Sequence, residues 1–125
     1  MDFKNAKELL DFCQKLNCPI SDIMKQRECT LAETSLEDIY AKMDHALSIM
    51  RESASSPIQE PKKSIGGLIG GEARLADLHR ARGAAICGSV LSRAITYSMA
   101  VLETNTSMGL IVAAPTAGSS GIVPG

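Results

Sequence analysis

The sequence has few aromatic residues and no tryptophan. Aromatic residues make up only 3% of the 125 residues. Any core must therefore be built from Leu, Ile, Val, Met and Ala. Since hydrophobic residues make up 45% of the chain, wholesale disorder is not expected. This length allows one domain with a modest core.

An excess of charge of one sign is also absent. Thirteen basic and fourteen acidic residues give a net charge of −1, which excludes a general electrostatic attraction to nucleic acid or an anionic membrane. The apolar stretch 84–102 is interrupted by Arg93 and rich in serine, so no membrane span is predicted. The first seven residues are charged and amphipathic, unlike a signal peptide. These features predict a cytoplasmic protein.

No metal-binding pattern is evident. The four cysteines form no C-x-x-C pair and have no histidine nearby to complete a zinc pattern. In a cytoplasmic protein they are interpreted as reduced packing residues, so no metal ligand is predicted among them. They are Cys13, Cys18, Cys29 and Cys87.

Helical periodicity is the dominant pattern in the chain. It predicts a mainly α fold, a helical domain with glycine-rich loops and at most one short extended segment. Three helices are expected to start at Asn5, at Ser21 and at a capping box in Thr34–Glu37. Two more are predicted over Glu72–Arg82 and from about Ala84 to Leu102.

Residues 53–64 change composition to Ser, Pro, Lys and Glu. Pro57 and Pro61 are expected to forbid a regular helix there. We therefore predict a helical segment over 1–55, a linker over 56–64, and a segment over 65–125 that carries the chemistry.

Two glycine-rich stretches are candidate sites. Gly66-Gly67 and Gly70-Gly71 fit neither a dinucleotide-binding nor a phosphate-loop pattern, and both tight packing and ligand binding remain open. The Thr116–Gly121 loop follows the apolar run Leu110–Ala114, predicted to be a buried extended segment. Glycines that tolerate positive φ, free amides and hydroxyls could hold a carboxylate or phosphate there, although such loops also cap helices without a ligand.

Charged residues between the two glycine-rich stretches could assist ligand binding or catalysis. Any of four arginines could pair with a carboxylate, or simply lie on the surface: Arg74, Arg80, Arg82 and Arg93. Glu72 and Asp77 are possible acids or bases, but the pattern assigns no catalytic base. A helix is expected after Gly121, so we expect this chain to be part of a longer polypeptide.

The two glycine-rich stretches resemble motifs of a known enzyme family. The run GLIVAAPTAGSSGIVPG (109–125) resembles the signature of the iron–sulfur-dependent L-serine dehydratases, in their alpha subunit or alpha domain. GLIGGEA (67–73) resembles a second glycine-rich motif of that family, and the preceding helices fit its N-terminal region. The resemblance covers essentially the whole chain.

The resemblance implies a β-elimination in which L-serine loses water and the aminoacrylate product hydrolyses to pyruvate and ammonia. Such enzymes use no pyridoxal phosphate. They carry a four-iron, four-sulfur cluster on three cysteines, whose open iron acts as a Lewis acid on the serine hydroxyl. A beta subunit or beta domain is the implied partner. Family cluster cysteines lie downstream of the motif, so the ligands are expected beyond Gly125 and residues 65–125 form an incomplete catalytic domain.

Residues that match the two motifs are expected to bind substrate. They are Thr116, Gly118, Ser119, Ser120 and Gly121 in the later motif, and Gly67, Gly70 and Gly71 in the earlier one. Two alternatives stay open: a dehydratase of another hydroxy amino acid such as threonine, and a non-catalytic helical interaction module. In the module, the glycine-rich segments would serve subunit packing.

Apolar surface without a partner predicts self-association. Leu110–Ala114 and the narrow face of the Ala84–Leu102 helix should lack some of their packing partners, which favours homo-oligomers or segment exchange. Sedimentation over a wide concentration range should show concentration-dependent association. A strictly monomeric profile would contradict this prediction.

Overall fold

A computed structural model describes residues 2–125, and these residues form helices and loops without a β-strand. The mainly α prediction is confirmed. The five helices are α1 (Ala6–Leu16), α2 (Ile20–Leu31), α3 (Leu36–Gln59), α4 (Glu72–Ala81) and α5 (Gly88–Thr106), followed by a 3-10 turn (Ala117–Ser119). The chain divides into two compact units, one up to His45 and one from Ala46 onwards. None of the helices in residues 2–125 has the length and apolar character needed to cross a membrane.

Helix α1 starts and ends on local signals. The side chain of Asn5 accepts a hydrogen bond from the N–H of Glu8 at 3.0 Å, which satisfies one of the donors left free at a helix start. Asn17 ends the helix in the left-handed conformation (φ 47°, ψ 48°), a geometry that asparagine adopts more readily than most residues. The predicted cap at Asn5 is confirmed.

The start of α2 differs from the prediction. The residue before the helix is Pro19, at φ −70° and without a side-chain hydrogen bond, so Ser21 is not the cap. The N–H groups at the start of a helix have no acceptor within the helix, so the missing N–H of proline costs nothing there. The ring of proline also fixes φ near the value that a helix start requires.

The start of α3 is displaced by one residue from the predicted box. Ser35 Oγ accepts from the N–H of Asp38 at 3.0 Å and donates to Asp38 Oδ2 at 2.7 Å. Thr34 Oγ1 adds a bond to the same carboxylate at 3.1 Å. These hydrogen bonds, that of Ser35 first, hold the pKa of Asp38 below its usual range.

Helix α3 continues through Pro57 to Gln59. The expectation of irregular structure is therefore wrong for residues 53–59. In a regular helix, Ser53 O would accept from the residue at 57, but proline has no N–H to donate. Thr104 Oγ1 of α5 lies 3.0 Å from this carbonyl and 3.1 Å from Ala100 O of its own helix, so its one proton is shared between the two and partly replaces the missing donor. The ring of Pro57 is itself less than 2% exposed. The predicted domain boundaries stay a prediction.

Small and polar residues form the buried face of α5. Its members are Ser92, Thr96, Ala100, Val101, Glu103 and Thr104. Helix α4 packs against α5, and its Ala73 is fully buried. Small side chains at intervals of four residues allow two backbones to approach closely.

The segment after α5 has no regular secondary structure and is not buried as predicted. Leu110 is 69% exposed, so the expectation of a buried run over 110–114 is wrong for this chain. The segment is fixed mainly at its start, where Gly109 donates its N–H to Thr104 O at 2.8 Å. No strand lies beside it among residues 2–125 to cover its apolar side chains.

Thr104→Val tests the role of the Thr104 hydroxyl. Valine keeps the shape but leaves Ser53 O buried without a donor, and we expect the free energy of unfolding to fall by about 1–3 kcal/mol. Thr96→Val is the matched control, because Thr96 is equally buried but bonds only within α5, to Ser92 O. Urea unfolding of both variants measures the difference, and equal losses would contradict the proposed compensation.

Candidate functional site

The Thr116–Gly121 loop is held together by its own hydroxyl groups. The N–H of Ser119 donates to Thr116 Oγ1 at 3.3 Å, and the N–H of Thr116 donates to Ser119 Oγ at 3.2 Å. Ser120 Oγ donates to Ala117 O at 2.7 Å. These hydroxyls therefore fix the loop conformation. The sequence had suggested instead that they would be available to hold a ligand.

Backbone amides at the tip of this loop remain open to a ligand. Thr116, Ala117 and Gly118 are exposed. The N–H groups of Ala117 and Gly118 donate to no acceptor within residues 2–125. Adjacent exposed amides of this kind can hold the oxygens of a carboxylate.

The far end of the loop is packed tightly on α5. Ser98 Oγ donates to Gly121 O at 3.0 Å. A Cβ on Gly121 would lie 3.0 Å from Ser98 O and 3.1 Å from Ser98 Cα. Neither Gly118 nor Gly121 uses the positive φ that glycine tolerates. Gly121 is needed instead because the two backbones approach so closely.

The earlier glycine-rich stretch forms an exposed turn. Ser64 donates its N–H to Ile69 O at 2.8 Å and accepts at its own carbonyl from Gly67 at 2.9 Å. Gly67 at φ 70° and Gly71 at φ 100° occupy the left-handed region that favours glycine. Gly71 also precedes α4 directly.

Tight packing was one of two interpretations of this stretch. In the structure, only Gly70 is tightly packed. A Cβ on Gly70 would lie 2.9 Å from both Lys62 O and Lys63 Cα. Gly66 and Gly67 have no atom within 4 Å of a Cβ placed there. The surface at Gly66-Gly67 is therefore open to a ligand or a partner.

The last turn of α5 anchors both ends of this glycine-rich turn. The N–H of Ile65 donates to Thr106 O at 3.4 Å, and the N–H of Ala73 donates to Glu103 Oε1 at 2.7 Å. Glu103 is only 1% exposed. Sequence reasoning did not single it out, although a glutamate directly after the apolar Ala100–Leu102 was a usable signal.

The two loops attach to different faces of α5. Ser98 holds the later loop and Glu103 the earlier one. Positions five residues apart on a helix differ by about 140° around its axis. The two predicted substrate-binding sets are therefore both attached to α5, by anchors on different faces of the helix, and their role in binding stays a prediction.

Most of the candidate charged residues are already paired. Arg80 forms an ion pair with Asp77 at 2.6 Å, and Arg74 donates to a backbone carbonyl at the end of α3 at 3.0 Å. Glu72 Oε2 accepts from the N–H of Gly70 at 2.7 Å. The two remaining candidates are exposed: Arg82 and Arg93.

The cysteines do not form a ligand set. Cys13, Cys18 and Cys29 are half-buried and Cys87 is exposed, all as free thiols. Within residues 2–125, no three His, Cys, Asp or Glu side chains come together as a metal site would require. Burial raises the pKa of the Cys18 thiol, and neighbouring negative groups add to this. These residues do not fit an iron–sulfur cluster, and no step through one follows from them.

A cleft of about 410 Å³ lies in the second unit. Apolar side chains dominate its lining, among them Leu47, Met50 and Val123. Arg51 is its one charged lining residue. Such a lining suits apolar packing better than a zwitterionic amino acid, so the exposed loops are the better candidates for substrate contact.

Comparisons with known proteins point to one family. Residues 15–125 match the family described as "Serine dehydratase alpha chain". The chain is 39% identical over 123 residues to a probable L-serine dehydratase alpha chain of Bacillus subtilis, and 34% identical over 119 residues to an L-serine dehydratase alpha chain of Peptoniphilus asaccharolyticus. The matches cover 98% and 95% of this chain but 41% of each relative. No solved structure gives a significant match.

Gly121→Ala and Gly118→Ala form a matched pair of variants. A Cβ at 121 would lie 3.0 Å from Ser98 O, so the two backbones would have to move apart slightly, and we expect a loss of about 1–3 kcal/mol in the free energy of unfolding. At 118 a Cβ meets only Thr116 Oγ1, at 3.9 Å, so the change should stay within about 0.5 kcal/mol. Thermal or urea unfolding measures both, and a tolerated Gly121→Ala would show that this backbone contact does not form.

Proposed function

Since the chain belongs to the serine dehydratase alpha chain family, we propose that it forms the N-terminal part of an L-serine dehydratase that converts L-serine to pyruvate and ammonia. The observation that carries the proposal is the family match over residues 15–125, which includes both glycine-rich motifs. The chain spans about two fifths of the length of the curated relatives it matches. The activity is therefore proposed for the complete alpha chain, and these 125 residues are expected to be inactive alone.

The proposed reaction is a β-elimination. A base removes the α-proton of L-serine and the hydroxyl leaves from the β-carbon as water. The resulting aminoacrylate becomes an imine, which water hydrolyses to pyruvate and ammonia. Within this scheme the substrate carboxylate needs fixed hydrogen-bond donors, because its position determines where the α-proton and the hydroxyl lie.

The Thr116–Gly121 loop supplies suitable donors. Its exposed Ala117 and Gly118 amides bond to no acceptor in residues 2–125. The bonds between Thr116 and Ser119 hold these amides in place before any ligand arrives. A preorganised loop loses little conformational entropy on binding, which favours affinity for a small substrate. The turn with Gly67, Gly70 and Gly71 is anchored on another face of α5, and we propose that in the complete enzyme it forms a second wall of the site, facing the substrate from that side.

The cofactor and partners belong to the same proposal. The complete enzyme is proposed to carry a four-iron, four-sulfur cluster, with ligands outside residues 1–125, and to use no pyridoxal phosphate. A beta chain or beta domain is the proposed partner, and the protein is proposed to act in the cytoplasm. Its exposed apolar side chains favour assembly into a homo-oligomer.

A non-catalytic interaction module is the second candidate. The observation that favours it is the exposure of large apolar side chains, such as Leu68 at 90% and Val90 at 83%. Exposed apolar residues of this size are typical of surfaces that another protein covers. Pyruvate formation from L-serine by the complete enzyme decides between the two candidates.

The function is tested with the complete alpha chain carrying this sequence, loaded anaerobically with iron and sulfide and combined with its beta chain. Pyruvate formation from L-serine and visible absorbance of a cluster are expected there, and not in the 125-residue chain alone. L-Threonine in the same assay measures substrate preference. A complete enzyme without cluster and pyruvate would favour the interaction module.

Ser119→Ala tests the loop within that enzyme. It removes the hydroxyl that ties Thr116 and Ala114 together, so kcat/KM for L-serine should fall about tenfold, or 1.4 kcal/mol. Ser55→Ala is the control, because that hydroxyl bonds only within α3. Equal activity of the two variants would contradict the proposal that this hydroxyl holds the substrate-binding amides in place.

A further inference from the structure

Glu103 occupies a position where a carboxylate is costly. The residue is 1% exposed. Its Oε1 accepts one hydrogen bond, from Ala73, while Oε2 is buried without a hydrogen-bond partner in residues 2–125. Burying a charge with one bond is unfavourable compared with an apolar side chain of similar size. Stability alone therefore gives a poor reason for a glutamate here.

The one bond that Glu103 makes lies at the start of α4. The residue before this helix is Gly71, which has no side chain to satisfy the first N–H groups. Glu103 reaches across from α5 to the N–H of Ala73 and replaces the missing local cap. A carboxylate suits this place, because the start of a helix carries a partial positive charge.

The same region of α5 fixes the other end of the glycine-rich turn. Thr106 lies three residues after Glu103, on the same side of the helix, and its carbonyl accepts from Ile65. Hydrogen bonds inside the exposed turn, such as that from Ser64 to Ile69 O, hold its internal shape. Its orientation relative to α5 depends on the two anchors, of which the Glu103 bond is the shorter, at 2.7 Å against 3.4 Å.

We propose that Glu103 is a positioning residue for substrate binding. Its carboxylate fixes the start of α4, and through it the orientation of Gly67, Gly70 and Gly71. This inference rests on the proposed function, in which the turn is a wall of the serine site. Glu103 does not touch the substrate and acts only through the turn.

The kinetic test compares Glu103→Ala with Glu103→Gln in the complete dehydratase. Alanine removes the acceptor for Ala73, so KM for L-serine should rise about tenfold, with a smaller change in kcat. Glutamine keeps one acceptor oxygen at the same distance along the side chain, so it should restore KM to within about threefold of the wild type. An unchanged KM in Glu103→Ala would overturn the proposal.

Amide hydrogen exchange on the chain itself provides a readout that does not need activity. Peptides covering 65–73 should exchange faster in Glu103→Ala and at the wild-type rate in Glu103→Gln. Thr96→Ala is the control, because Thr96 is as buried on the same helix but contacts neither loop anchor. If Thr96→Ala accelerates exchange in 65–73 as much as Glu103→Ala does, the effect is a general loss of stability and the proposal fails.

The two measurements separate failure of this inference from failure of the proposed function. A wild-type enzyme that makes no pyruvate overturns the proposed function and, with it, the substrate role of the turn. Selective exchange in Glu103→Ala would still show that Glu103 holds the turn. An active wild-type enzyme with no selective effect of Glu103→Ala overturns the inference alone.

Discussion

A buried hydrogen bond from Thr104 to Ser53 O links α5 to α3 in the second unit. Pro57 leaves this carbonyl of α3 without its helical donor, and Thr104 of α5 supplies one at 3.0 Å. The backbone of Thr104 also accepts from Gly109, where the chain leaves α5. A proline that would weaken an isolated helix thus fixes where α3 meets α5. Because the bond is buried, breaking it leaves a polar group without water to replace the donor.

The buried face of α5 is polar for most of its length, and its polar groups determine how neighbouring segments are arranged. Hydroxyl and carboxylate groups make directional bonds, so they fix one arrangement of neighbours where an aliphatic face would allow several. Ser98, Glu103 and Thr104 each hold a different segment of the chain. Large apolar side chains, Leu68 and Leu110 among them, lie outside this core. They provide the surface on which we expect a partner to pack.

This arrangement is relevant to the proposed chemistry. Serine elimination needs a substrate held in one orientation, and both glycine-rich segments are attached to the same rigid helix. The later loop is tied by its own hydroxyls and by the close approach of Gly121 to Ser98. The earlier turn depends on anchors from α5, with Glu103 the more buried of them. The helix therefore acts as the common support for the two proposed site segments, which are anchored on different faces of it.

The sequence by itself determined the helices, the cap at Asn5 and the family, because periodicity, capping side chains and motifs depend on residues close together in the chain. It did not reveal why α3 continues through Pro57, why Gly121 must be glycine, or that Glu103 is the buried acid while Glu72 and Asp77 are paired. Each of these depends on contacts between distant positions, such as Ala73 with Glu103 and Ser53 with Thr104, which are 30 and 51 residues apart. Only the packing of α3, α4 and the loops on α5 brought those groups within hydrogen-bond distance.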